Sequence, residues 1–131
     1  MMNSMLQGIF TLVVVSFVSM GAGYVNGQVE MVHAVWVLNE GGSMESPSVG
    51  VYDPVEAVFI PVMAFEGAEF ATDIIIADGA AFAAADNRIY RFDLDTYEVD
   101  AYVEMEGVRK LAYSDGHIYA TRGEYDPEML V

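Results

Sequence analysis

A turn signal that returns in phase constrains this chain more than any other feature. Asp78-Gly79 comes back as Asp115-Gly116, 37 residues later, and the same offset carries Ile74 onto Leu111, Phe82 onto Tyr119 and Ala83 onto Ala120. Upstream, Tyr52-Asp53 falls on Phe92-Asp93 at an offset of 40. Trp36 falls on Phe82 at 46, with the extra residues in the loop Glu40–Pro47 (EGGSMESP). These matches share one phase, so a supersecondary unit of about 40 residues repeats, and such a unit buries its apolar face against a neighbouring copy.

Within a unit the pattern has period two. Ile74–Ala77 (IIIA) meets the Asp-Gly pair, which favours a tight hairpin because Gly accepts positive φ. Ala81–Ala85, a turn at Asp86-Asn87 and Arg88–Asp93 follow, and a turn at Leu94–Tyr97 leads into Glu98–Met105. There Val99, Ala101, Val103 and Met105 alternate with Glu98, Asp100, Tyr102 and Glu104, which predicts one packed and one wet face. The expected fold class is all-β. The units read as antiparallel four-stranded blades of a β-propeller, incomplete in this chain, at about residues 34–64, 74–105 and 110–131. The first unit lacks a clear innermost strand and the third is about half a unit. A closed ring needs at least four blades, hence about 160 residues, so the remaining blades are expected from sequence beyond residue 131 or from self-association. Trp36, Phe82 and Tyr119 share one repeat position and are expected in the blade core.

Residues 1–27 carry no charged side chain, and Ile9–Met20 (IFTLVVVSFVSM) is a 12-residue run of mostly apolar residues followed by small ones. That pattern predicts a signal helix removed by cleavage between Gly27 and Gln28, although no Lys or Arg precedes it. Twelve residues at about 1.5 Å each do not cross ~30 Å of hydrocarbon. The mature chain, 28–131, is therefore expected to be exported to the periplasm, cell surface or exterior, with no membrane association after cleavage; the alternative is a leader kept as a membrane anchor, since Met5–Val25 is long enough to span if Gln7, the glycines and several hydroxyls are included.

The 20 acidic and 5 basic residues give a net charge of −15, which excludes a phosphate backbone as partner. No Cys is present, so packing alone must hold an exported fold together.

The acidic run Asp93, Asp95, Glu98, Asp100 and Glu104 raises the question of a metal. Glu98 stands where a calcium loop of the EF-hand kind needs Gly, and carboxylates along a strand rising about 3.3 Å per residue do not converge. They read instead as a solvated edge that discourages edge pairing. Ser114-Asp115-Gly116-His117 holds the residue types of a hydrolase triad, but neighbours in a tight turn cannot converge as nucleophile, base and orienter. His33 and His117, the only histidines, do not make a zinc set. No catalytic residue, metal or cofactor is expected. Arg109-Lys110, the only adjacent basic pair, falls where one blade passes to the next and is the candidate ligand contact.

The stretches VWVLNEGG (35–42) and PSVGVYDP (47–54), with the run that starts at Asp93, resemble the secreted YncE-like surface propellers of Bacteroidota over most of residues 33–126. The resemblance implies an exported, cell-surface propeller without an assigned activity, acting as a binding module or scaffold for a protein or glycan. The alternative is part of a propeller enzyme, a lactonase-like hydrolase or a quinoprotein.

Overall fold

The computed structural model describes residues 14–19 and 32–123. These form three antiparallel sheets and, among the described residues, no helix. The first sheet has the order β1 (Val14–Ser19), β2 (Val32–Asn39), β3 (Ser48–Asp53) and β4 (Val58–Ala64). The second runs β5 (Ala71–Ala77), β6 (Ala80–Ala85), β7 (Arg88–Asp93) and β8 (Val99–Glu104). The third is a pair, β9 (Val108–Ser114) with β10 (His117–Arg122). β5 packs against β1 on one side and β9 on the other, so the first strands of the three sheets lie side by side. The fold is all-β, with sheets of two to four strands compatible with blades.

The repeat is visible atom by atom. Both Asp-Gly hairpins have positive φ at each central residue: 48° and 72° at Asp78-Gly79, 50° and 79° at Asp115-Gly116. That is the turn whose twist matches the flanking strands. Forty residues apart, Asp53 and Asp93 close equivalent turns. Asp53 Oδ1 accepts from the Val55 and Glu56 amides at 2.8 and 3.0 Å, and Asp93 Oδ1 accepts from Asp95 and Thr96, both at 2.8 Å. Each turn ends on a left-handed residue, Ala57 (φ 55°) and Tyr97 (φ 62°).

The joints between sheets also repeat. Ala71 N donates to Glu40 O at 2.9 Å, and Val108 N donates to Asp86 O at 3.1 Å. The donors are 37 residues apart and the acceptors 46, the two offsets found in the sequence. Asp86 N to Phe70 O (3.0 Å) and Gly123 N to Gly107 O (2.8 Å) form a second pair at 37.

Two cores result. Between the first and second sheets, Trp36, Leu38, Val49 and Val51 meet Ala81, Ala83 and Phe92, with Phe65 from the connecting loop. Trp36 lies 5.5 Å from the Phe92 ring centroid and 5.6 Å from Tyr97, edge-on to the latter. The alanines of β6 leave room for these large rings, so big side chains on one sheet fill what small ones leave on the next. Because strand side chains alternate, Phe82 and Ala84 face the other way. They join Val108, Leu111 and Ile118 in a smaller core with the third sheet.

Several expectations need correction. Val14–Ser19 lies in the segment expected to be a signal helix, yet its backbone is an extended strand. Its sequence, VVSFVS, is rich in β-branched and aromatic residues, which suit a strand beside β2, and it supplies the innermost strand that the first unit lacked. The rest of the leader, including Gly27 and Gln28, lies outside the described residues. The second and third units begin at 71 and 108, earlier than expected. Of the three equivalent aromatics, Trp36 is fully buried and Phe82 half-buried, whereas Tyr119 is 57% exposed. Nor does β8 have a packed face: every residue in it is exposed, Val103 by 59%. Both departures have one cause. The third sheet contributes two strands among the described residues, so it covers only the inner half of the second sheet and has no neighbour on its own far side.

Candidate functional site

The joint between the second and third sheets gathers the chain's most unusual polar groups. Asp73 is the one charged residue of a mostly apolar strand, ATDIIIA, and is only 9% exposed. Its Oδ1 accepts from Ile74 N at 3.0 Å and its Oδ2 from Leu111 N at 2.8 Å, so one carboxylate ties β5 to β9. Beside it, Lys110 Nζ donates to Thr72 O at 3.3 Å, and Thr72 Oγ1 donates to Val108 O at 3.4 Å. Lys110 N is held by Thr121 Oγ1 at 3.1 Å. The Arg109 side chain lies over Gly123, where a Cβ would come within 3.3 Å of its Nε. Arg122 Nε donates to Glu106 O at 2.8 Å. Arg109 and Lys110 are thus neighbours on one exposed strand at the joint, with Arg122 on the adjoining strand. Sequence reading named the first two and missed Asp73. The available signal was a lone carboxylate inside an apolar strand, which must find donors to be tolerated.

The acidic run has other work. Asp93 Oδ1 is taken by the amides of Thr96 and Asp95, and these bonds hold its carboxyl below the usual Asp value. Asp100 pairs with Arg91 and Glu104 with Arg88, the latter at 3.2 Å, both as exposed cross-strand pairs between β7 and β8. The Arg88 guanidinium also sits 4.8 Å from the Tyr102 ring centroid. Among the described residues, no group of three or more His, Asp or Glu side chains could hold a metal ion. In the hairpin at Ser114–His117, His117 Nδ1 lies 2.9 Å from the Asp115 backbone oxygen, so the ring is engaged by the turn itself.

Two concave surfaces flank the second sheet. A cleft of about 550 Å³ is bordered by Glu66, Asp86, Arg88, Tyr90, Glu104 and Glu106, four acids against one base. Across the sheet, an apolar groove of about 250 Å³ runs between Phe82, Ile89, Val103, Met105, Ile118 and Ala120. It continues the smaller core outward to where β8 is bare.

No family model and no curated protein matches this chain.

Proposed function

We propose that this chain is part of an exported, non-catalytic β-propeller of the YncE-like surface type, serving as a binding or scaffold module for a protein or glycan. The observation that carries the propeller reading is the joint hydrogen bond that recurs at both sheet boundaries, Ala71 N to Glu40 O and Val108 N to Asp86 O. A bond repeated at each junction fixes the same turn from sheet to sheet, which is what a radial array of blades requires. Export is supported by the uncharged leader, and a surface setting by the acidic balance of −15. Arg109 and Lys110 are the proposed ligand contacts, since they offer cationic donors at a blade boundary in an otherwise acidic molecule.

Two measurements test this. N-terminal sequencing of the exported protein should begin at Gln28; an intact Met1 in a cytoplasmic fraction would end the export reading. Binding to arrayed anionic glycans should be saturable and weakened several-fold in Arg109→Ala/Lys110→Ala; equal binding by parent and variant would remove the assignment of these two residues.

A further inference from the structure

We propose that the inner edge of β2 is a strand-accepting slot and that, in the processed chain, it takes an extended, uncharged, apolar segment of a partner protein. The proposal rests on removal of the leader. In the structure the slot is filled by Val14–Ser19, which pairs antiparallel with β2 from Val14↔Leu38 to Val18↔Ala34, with a register shift before Ser19↔Val32. The strand that completes the first sheet thus belongs to the segment whose sequence marks it for removal.

Cutting it away uncovers one whole edge of the eight-residue β2, a row of amide and carbonyl groups that must find partners in water or in another strand. The slot is not an open ribbon. β3 closes β2 on the far side, and β5, which packs against both β1 and β2, forms a wall. An extended segment added there gains main-chain bonds to β2 and side-chain contact with β5 together, the mode called β-augmentation.

The walls also state the chemistry of the guest. β2 (VHAVWVLN) and β5 (ATDIIIA) contain only two titratable side chains, His33 and Asp73. Asp73 is occupied by the Ile74 and Leu111 amides. A molecule with a net charge of −15 therefore keeps this edge almost free of charge, and a charged guest would find no counter-charge there. The resident VVSFVS, six residues without a charge, is the pattern of what fits.

The test uses the full chain with a protease recognition sequence placed between Gly23 and Gly27, cut only after folding. The N-terminal piece should stay associated. A labelled peptide carrying the sequence of Leu12–Met20 should displace it saturably and slow amide exchange at Trp36 and Leu38, the β2 residues opposite Ser16 and Val14. The same peptide with Asp in place of Ser16 should compete about tenfold or more weakly, the charge finding no partner. Release of the piece with no change in β2 exchange would overturn the proposal, as would equal competition by the charged peptide. A doubled mass after cutting would give the slot to a second copy and would overturn it too. Because the cut is engineered, this result is read apart from natural processing: an intact Met1 on exported protein would overturn the leader reading and with it the partner's place in the processed chain, whatever the cut chain binds.

Discussion

Replacing Asp73 by Asn is the sharpest probe of how the third sheet is held. The amide has nearly the same shape, but one of its two heads is now an NH₂ group, a donor where the carboxylate offered a second acceptor. If the remaining oxygen keeps Ile74, the NH₂ faces the Leu111 amide donor-to-donor across 2.8 Å, and the bond that ties β5 to β9 is lost. A bond to a charged acceptor contributes about 1.5–3 kcal/mol, and leaving a buried donor without a partner costs about 1–3 kcal/mol. A net loss of about 2–3 kcal/mol is expected, a large part of a domain's 5–15 kcal/mol. In urea, with a slope of about 2 kcal/mol per molar, the midpoint should fall by about 1–1.5 M. Trp36, the chain's only Trp and buried between the first two sheets, reports on that transition, while hydrogen exchange at Leu111 reports on the joint itself. Loss of Leu111 protection with an unmoved Trp36 transition would mean that the third sheet opens separately. A midpoint within about 0.25 M of the parent and a fully protected Leu111 would refute the role given to this carboxylate, since exposed substitutions such as Asp95→Asn are expected to do no more.

Three further outcomes follow from the same contacts. Trp36→Ala should cost about 3–5 kcal/mol by urea unfolding, whereas Trp36→Phe should cost markedly less, because the buried Trp36 Nε1–H finds no acceptor among the described residues and its removal gives up volume but no hydrogen bond. Asp93 has a folded pKa below its unfolded value, so its turn bonds stabilise fully above about pH 4 and the benefit disappears as pH falls through the folded pKa; the Tm gap between parent and Asp93→Ala should narrow as pH falls below about 4, and a gap independent of pH would contradict the turn assignment. Calcium titration of the full chain should leave its Tm unchanged, since Asp93 is spent on backbone amides and Asp100 and Glu104 on arginines; a saturable rise abolished by Asp95→Asn would show a site that these partners do not reveal.

What the sequence made legible was whatever depends on local chemistry. The Asp-Gly hairpins and the turn at Leu94–Tyr97 stand in the structure as read, because each is decided by a few adjacent residues whose φ values or side-chain oxygens permit little else. The errors came where a neighbouring sheet decides. Val99, Ala101 and Val103 alternate as a half-buried strand should, yet they are exposed, since alternation fixes which face is apolar and not whether anything lies on it. Tyr119 sits at the same repeat position as Trp36 and differs in burial for the same reason. Val14–Ser19 is a further case: the length and neutrality of its apolar run suit a leader helix as well as a strand, and in the structure it pairs with β2, whose edge is invisible in sequence.

The candidate site was half legible, and the half that was missed explains the half that was found. Arg109 and Lys110 stand out as charges because so few bases exist in this chain, but their placement is set by Asp73, a residue whose partner lies 38 positions away. In β5 the carboxylate looks like an interruption of an apolar strand. In the fold it is the acceptor that fixes β9 at Leu111, one residue beyond Lys110, and so determines where the lysine's ammonium reaches the Thr72 carbonyl. The offset of 37 aligns Asp73 with Lys110 itself, so the repeat puts opposite charges at equivalent positions of successive first strands. A third unit built on the consensus of the second would have carried an acid there. The change to Lys leaves the joint with a cation on its exposed side, and that departure from the repeat, rather than the repeat, singles out this boundary as the place to look for a ligand.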